Sequence, residues 1–154
     1  MVPMRDGVKL HTVVVTPDPQ GQRLPSVLIR TPYNAFTFQP ECVQWADTQN
    51  YNCLMQDFRG RYASQGRFDF WLNSSTDGFD TMAWLTSQKW SNGKVFTTGV
   101  SANGIAQYVQ PISNPPWLLA ESVTWATAQL HKSVFQVPLN LFALRNLLSQ
   151  TRLV

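Results

Sequence analysis

The hydrophobic positions of this chain form short apolar runs, separated by polar segments rich in glycine and proline. Five runs have the length and β-branched content of strands, at residues 8–16, 26–30, 53–58, 95–99 and 118–125. Residues 1–4 predict the end of a further strand, because residues 5–7 have the composition of a tight turn. The pattern therefore predicts an N-terminal hairpin followed by single strands.

Segments with helical spacing lie between these strands. Helices are predicted at residues 41–49, 76–88 and 102–110, and two more within residues 129–148, where Pro138 divides the periodicity. Thr76 is the predicted N-cap of the second helix. Loops are predicted at residues 16–25 and 59–68, and a turn at residues 90–94. This alternation predicts an α/β fold with a mainly parallel sheet and helices on both faces.

The stretch GVSANG, residues 99–104, joins a predicted strand to a predicted helix. A serine at a sharp strand-to-helix turn is the arrangement of a nucleophile elbow, which makes Ser101 a candidate nucleophile. The usual pattern is G-x-S-x-G, whereas here Asn103 takes the place of the second glycine and Gly104 follows it. A serine that caps the helix, between two ordinary glycines, explains the same string equally well. Both interpretations stay open on this stretch alone.

The order of the predicted strands adds information about Ser101. With the hairpin counted first, the serine follows the fifth strand, and residues 31–34 form the loop after the third. In α/β-hydrolases an oxyanion hole takes one donor from that loop and another from the residue after the serine, which is Ala102 here. The layout therefore favours an α/β-hydrolase.

Composition narrows the classes of partner. The 154 residues are 44% hydrophobic, which is typical of one globular domain, and no cofactor or metal motif is present. The net charge is +3 with scattered basic residues, so we expect no nucleic-acid partner. No apolar stretch approaches the roughly 20 residues of a membrane span, and the N-terminus is not a signal peptide. We therefore expect no membrane partner and, by default, a cytoplasmic location.

The two cysteines, Cys42 and Cys53, do not have the spacing of a metal site. Cys53 lies in an apolar run and is expected to pack as a small buried hydrophobe. A disulfide between the two cysteines is left open.

Five segments occur in an order that resembles one family. They read VPMRDGVKL, RTPY, QDFRGRYASQGRF, DGFDTMAWL with QKWSNGKV, and GVSANG. Over residues 2–135 the chain resembles the X-Pro dipeptidyl-peptidase and cocaine-esterase-like serine hydrolases, a branch of the α/β-hydrolases. The resemblance implies the N-terminal portion of that fold, with the start of a helical cap. It also implies hydrolysis of a small peptide, ester or amide substrate without a cofactor.

The resemblance implies roles for individual residues. Ser101 matches the nucleophile, Tyr33 matches a tyrosine whose hydroxyl donates to the oxyanion, and the backbone N–H of Ala102 is the second donor. The alternative for Tyr33 is an ordinary aromatic residue in a loop. Residues 57–61 match a stretch expected to support the site with ion pairs and tight turns. Ala102 stands where the family has tyrosine. Ala35 stands where relatives that bind a free α-amino group have an acid, so a preference for amino esters is not expected.

A serine nucleophile needs a histidine base and a carboxylate, which follow the serine in this fold. Only Glu121 and His131 follow Ser101 in that order. Glu121 falls inside a predicted strand, and the resemblance places His131 at the start of the cap, where a packing role is expected. His11 is expected to be a strand-surface residue.

We therefore expect residues 1–128 to be the N-terminal part of a hydrolase domain and residues 129–154 to be the start of its cap. The family's acid and base would lie outside this truncated chain, and a second chain or a C-terminal part would complete the sheet. The leading hypothesis is a serine hydrolase that has little activity as the isolated chain. The competing hypotheses are a non-catalytic fragment or pseudoenzyme, and an unrelated α/β binding domain.

Overall fold

The structure, a computed structural model, describes residues 1–17 and 21–129. Its strands are β1 (Val2–Pro3), β2 (Lys9–Leu10), β3 (Thr12–Val15), β4 (Leu24–Thr31), β5 (Asn52–Asp57), β6 (Ser91–Val100) and β7 (Leu118–Thr124). Its helices are α1 (Gln39–Gln49), α2 (Ser74–Thr86) and α3 (Ala102–Val109), with 3-10 turns at Ala35–Phe38 and Gln110–Ser113. The predicted cap helices and His131 lie outside the described residues. None of the described helices combines the length and the apolar character that a membrane crossing requires.

The main sheet has the strand order β3-β5-β4-β6-β7. Strands β5, β4, β6 and β7 are parallel to one another, and β3 at the edge pairs antiparallel with β5. The predicted hairpin is the separate antiparallel pair of β1 and β2, with Val2 opposite Leu10. The single strand predicted at residues 8–16 is therefore divided, because the chain leaves the hairpin at His11 and enters the main sheet as β3. The mainly parallel α/β fold is confirmed.

Both faces of the sheet are covered by helices. On one face α1 packs on a cluster that contains Val27, Ile29, Cys42, Cys53 and Met55. On the other face Met82 and Leu85 of α2 pack against Leu28, Leu54 and Val95. Helix α3 lies beside α2. The side chain of Gln107 on α3 accepts a hydrogen bond from the hydroxyl of Thr97 on β6 at 2.8 Å. The central strands β4 and β5 are buried on both faces, which explains their continuous apolar runs.

The first two helices have clear boundary residues. Pro40 lies in the first turn of α1, where a missing N–H costs nothing, and Asn50 ends the helix in a left-handed conformation (φ 59°). Helix α2 begins at Ser74 with Asn73 at the N-cap, so the prediction of Thr76 as the cap was wrong. The hydroxyl of Thr76 instead donates to the carbonyl oxygen of Asn73 at 3.2 Å.

The predicted turn at residues 90–94 is incorporated into the start of β6. Gly93 has φ 84°, and its N–H donates to the hydroxyl of Ser91 at 3.2 Å. Ser91 nevertheless pairs with Leu24 of β4, and the register shifts between Leu24 and Ser26. The residues have turn chemistry, but the sheet absorbs it as an irregularity in the strand.

Cys42 of α1 and Cys53 of β5 form a disulfide, with their Cα atoms 5.1 Å apart. Both residues are fully buried in the cluster under α1. The expected burial of Cys53 is confirmed. The disulfide with Cys42, which the sequence left open, is present. The bond fastens α1 to the sheet just after the segment that carries Tyr33.

Candidate active site

Ser101 lies at the point where β6 ends and α3 begins. Its backbone has φ 57° and ψ −121°, in the left-handed half of the map that favours glycine. The conformation is held because the N–H of Ser101 donates to the carbonyl of Thr124 on β7 at 3.0 Å, and its carbonyl accepts from Ile105 at 2.9 Å. Such a residue costs of order 1–3 kcal/mol and persists only where its surroundings enforce it. The side chain stands exposed at the carboxyl edge of the sheet.

The alternative role of Ser101 as a helix cap is not realised. Ser101 occupies the N-cap position of α3, but its side chain makes no capping hydrogen bond. A capping serine accepts from an amide of the first helical turn. The geometry is instead that of an exposed hydroxyl on a strained strand-to-helix turn.

The two glycines of the stretch have steric reasons to be glycine. A Cβ on Gly99 would lie 2.7 Å from the backbone carbon of Asn103 and 2.8 Å from the side-chain nitrogen of Gln107. A Cβ on Gly104 would lie 2.8 Å from the Cβ of Ala126 and 3.0 Å from the carbonyl oxygen of Gly99. Gly104 therefore allows α3 to pass closely over the ends of β6 and β7. The close approach falls one position later than in the usual motif.

Tyr33 and Ala102 line one cleft beside Ser101. The other lining residues are mostly aromatic: Pro32, Phe58, Arg61, Phe68, Phe70 and Trp71. Tyr33 is 48% exposed. Ala102 is the first residue of α3, and its carbonyl oxygen accepts a hydrogen bond from the indole Nε1 of Trp71 at 3.0 Å. Tyr33 and Ala102 therefore share this cleft, and Ser101 directly precedes Ala102 in the chain. Trp71 is a contact that sequence reasoning missed.

The loop that carries Tyr33 is held by its own hydrogen bonds. The N–H of Tyr33 donates to the hydroxyl of Thr31 at 3.0 Å, and its carbonyl accepts from the hydroxyl of Thr37 at 3.2 Å. Asn34 has φ 82°, and its side chain accepts from the N–H of Phe36 at 3.1 Å. From outside the loop, the guanidinium of Arg61 donates to the carbonyl of Pro32 at 3.0 Å. This is one of the supporting contacts expected of residues 57–61.

Asp57 and His11 form a second support of the same loop. One oxygen of Asp57 accepts from the N–H of Ala35 at 2.7 Å, and the other lies 2.8 Å from Nδ1 of His11. His11 is partly buried, so the expectation of a strand-surface residue was wrong. The reason is that the strand predicted at residues 8–16 breaks at His11, where the side chain turns toward the end of β5.

An ion-pair cluster lies near the ends of β4 and β5. It consists of Arg30, Arg59 and Asp77. Arg59 lies 2.6 Å from Asp77 and 2.6 Å from Asp6, and Arg30 lies 3.8 Å from the second oxygen of Asp77. Burial lowers the pKa of Arg30 to about 10, although Asp77 acts in the opposite direction. The pKa of Arg59 is raised, chiefly by its hydrogen bond to Asp77. The cluster joins the hairpin, β4 and α2, as expected of a scaffold.

Glu121, the only acid after Ser101, is placed away from the serine. It lies in the middle of β7, opposite Thr97. The Thr97 hydroxyl, which donates to Gln107 at 2.8 Å, makes a longer, shared contact with Glu121 at 3.4 Å. Thr97 is four residues before Ser101, a distance of roughly 13 Å along a strand. Burial raises the pKa of Glu121 above its ordinary value, and the Thr97 hydrogen bond partly opposes this. Among residues 1–17 and 21–129, no group of three His, Cys, Asp or Glu side chains could hold a metal ion.

Comparison with known proteins places these features in a family context. A model of the family described as X-Pro dipeptidyl-peptidase (S15 family) matches residues 6–145. The cocaine esterase of Rhodococcus sp. (strain MB1 Bresler) is 32% identical over 159 residues, an alignment that covers 100% of this chain and 28% of the esterase.

Solved structures agree with this match. An aminopeptidase from a marine sediment Thaumarchaeota archaeon is 32% identical with a TM-score of 0.69, over 79% of this chain and 24% of that one. An α-amino acid ester hydrolase is 32% identical with a TM-score of 0.70, over the same shares of 79% and 24%. A CocE/NonD family hydrolase from Staphylococcus aureus is 25% identical with a TM-score of 0.68, over 78% of this chain and 25% of that one. The chain thus spans 24–28% of the length of these relatives.

Proposed function

The chain belongs to the X-Pro dipeptidyl-peptidase (S15) family of hydrolases, and we propose that Ser101 is the nucleophile of a serine hydrolase that cleaves a peptide, ester or amide bond. The observation that carries the proposal is the conformation of Ser101. It is an exposed serine on a left-handed strand-to-helix turn, without a capping bond, beside a cleft shared by Tyr33 and Ala102.

In the proposed reaction the hydroxyl oxygen of Ser101 attacks the substrate carbonyl carbon. The serine proton passes to a histidine base and then to the leaving amine or alcohol, and water releases the acyl group by the reverse route. The negative charge that forms on the carbonyl oxygen is stabilised by the backbone N–H of Ala102 and the hydroxyl of Tyr33. Both are preorganised, since Ala102 is fixed in the first turn of α3 and the Tyr33 loop is hydrogen-bonded.

We propose that the base and its carboxylate lie outside this chain. Among the described residues, the one histidine, His11, is engaged by Asp57, and Glu121 lies mid-strand. In the described part of the chain, β7 pairs with a strand on one side only, and it carries the exposed Leu119. An unpaired edge of a parallel sheet can accept a further strand. A second chain or a C-terminal part that pairs with β7 would complete the sheet and supply the missing groups.

Hydrolysis of p-nitrophenyl acetate tests this function. The chain alone is expected to hydrolyse it at close to the background rate, because loss of the base from a comparable triad costs about 10⁶-fold in kcat. Joining the chain to the C-terminal part of an S15 hydrolase is expected to restore turnover. In the joined protein Ser101→Ala should abolish turnover, whereas Ser87→Ala, at the exposed end of α2, should not.

Two outcomes would contradict the proposal. An esterase-level rate from the chain alone, lost in Ser101→Ala, would mean that the base lies within this chain. Turnover by the joined protein that survives Ser101→Ala would mean that Ser101 is not the nucleophile.

The second candidate is a pseudoenzyme that keeps the fold without chemistry. The observation that favours it is the position of His11, which supports a loop instead of pairing with Ser101. A joined protein that folds but gives no turnover, with or without Ser101, is the result expected of a pseudoenzyme.

A further inference from the structure

The carboxylate of Asp57 divides its two oxygens between two separate segments. Its side chain is 1% exposed. Oδ1 accepts from the N–H of Ala35 at 2.7 Å, and Oδ2 lies 2.8 Å from Nδ1 of His11. A buried carboxylate is costly unless its oxygens have donors. His11 is therefore needed for Asp57 to stay buried, and Asp57 is needed to hold the loop at Ala35.

The backbone of His11 is fixed at the same place. Its N–H donates to the hydroxyl of Ser64 at 2.8 Å, and that hydroxyl donates to the carbonyl of Asp57 at 2.9 Å. Its carbonyl accepts from the N–H of Asp57 at 3.1 Å. The imidazole ring also packs against the ring of Phe36, with centroids 5.6 Å apart. The ring thus contacts the Tyr33 loop twice, through Asp57 at Ala35 and directly at Phe36.

Tyr33 is coupled to these contacts by the hydrogen bonds of its loop. Asn34 bonds to Phe36, and Thr37 bonds back to Tyr33, so residues 33–37 form one tightly linked unit. A displacement at Ala35 or Phe36 therefore moves Tyr33. We propose that His11 is a positioning residue for Tyr33, acting through Asp57 and Phe36. The inference rests on the proposed oxyanion role of Tyr33.

NMR spectra of the isotope-labelled 154-residue chain and its His11→Phe variant test this directly. The variant lacks the donor to Asp57, so the amide of Ala35 and the ring of Tyr33 are expected to shift. The ring of Tyr51, packed edge-on against Trp45 and Phe96, is the internal control and should not shift. If Ala35 and Tyr33 keep their wild-type shifts, the proposal is wrong.

Two variants separate positioning from simple packing. His11→Asn keeps an N–H donor for Asp57, so Ala35 should keep wild-type amide exchange and Tyr33 its wild-type shift. His11→Phe keeps the ring contact with Phe36 and removes the donor, and amide exchange at Ala35 should then be roughly tenfold faster. Equal exchange in the two variants would contradict the proposal. If either variant does not fold, Phe36→Leu, at an exposed side chain, removes the ring contact and should shift the ring of Tyr33; an unchanged Tyr33 would contradict the proposal.

The NMR results do not depend on hydrolysis, which keeps this proposal distinguishable from the proposed function. A Tyr33 ring that responds to His11→Phe in a joined protein that remains inactive would count against the role of Ser101 and support the role of His11. An active Ser101 with no response at Tyr33 would do the opposite. In an active joined protein, His11→Phe should lower kcat with KM nearly unchanged. The His11→Asn variant should have a kcat close to that of the wild type.

Discussion

The indole nitrogen of Trp71 donates a hydrogen bond to the carbonyl oxygen of Ala102 at 3.0 Å. The two residues are 31 positions apart in the chain. The bond joins the loop before α2 to the first residue of α3, and both residues line the cleft beside Ser101. The wall of the cleft and the proposed oxyanion amide are thus parts of one hydrogen-bonded unit.

Trp71→Phe is expected to loosen this unit. Phenylalanine keeps an aromatic ring next to Phe70 but has no N–H, so the chain should lose about 1 kcal/mol of unfolding free energy. Amide exchange at Ala102 and Asn103 should become faster. Urea denaturation and hydrogen exchange measure the two effects. Trp117→Phe, where the ring packs on Phe79 and makes no indole hydrogen bond in the described residues, is the matched control. Equal changes in both variants would assign the effect to ring size.

Asp77→Asn is expected to be strongly destabilising. The change leaves Arg30 and Arg59 without their shared carboxylate in a buried setting, which typically costs roughly 3–5 kcal/mol. Asp80→Asn, one turn later on α2, weakens the contacts with the side chain and backbone N–H of the exposed Arg5 and should destabilise the chain much less. Thermal and urea unfolding of both variants measure the difference. Similar losses would show that the buried cluster contributes no more than a surface ion pair.

Glu121→Gln is expected to stabilise the chain at neutral pH. Burial raises the folded-state pKa of Glu121, so the folded state binds its proton more tightly than the unfolded state. Stability from this group is fully present below its ordinary pKa and is lost as pH rises through the raised value. The variant and the wild type should therefore differ little in acid, and the advantage of glutamine should grow toward pH 7. Unfolding free energies measured across this range test the sign, and a constant difference would contradict it.

Replacing both cysteines by serine is expected to lower the unfolding free energy by roughly 2–4 kcal/mol, because the disulfide restricts the unfolded chain. Mass spectrometry checks the bond itself. Alkylation under denaturing conditions should add no mass without a reductant, and should modify both Cys42 and Cys53 after reduction. Alkylation of both residues without a reductant would contradict the disulfide.

Much of the sheet could be predicted from the sequence because its central strands are buried on both faces. β4 and β5 carry apolar stretches without polar alternation at residues 27–29 and 53–55, and the order of strands and helices then implies a parallel sheet. The division of residues 8–16 into two strands was harder to predict, because the hydrophobic pattern continues through His11 although the chain changes sheets there. Local pattern carries no information about that change, which depends on pairing with β5.

The parts of the candidate site that depend on a short stretch of sequence could be predicted. The contacts between residues far apart in the chain were missed. The strand-to-helix turn at Ser101 follows from its own six residues, and the loop of Tyr33 follows from strand order. The contacts of His11 with Asp57 and of Trp71 with Ala102 span 46 and 31 positions, with no repeating spacing to connect them. The cap of α2 was misplaced because Asn73 and Thr76 are both capping residues, and only the course of the preceding loop decides between them. The catalytic roles of Ser101, Tyr33 and Ala102 stay predictions.

The left-handed backbone of Ser101 sets activity against stability at a single position. Glycine adopts φ 57° without a steric penalty, so Ser101→Gly would relieve the turn while it removes the hydroxyl. A chain selected for thermal robustness alone would favour glycine there. The proposed role of its oxygen would account for a serine there, and melting temperatures of the glycine, alanine and wild-type chains would reveal the size of that trade-off.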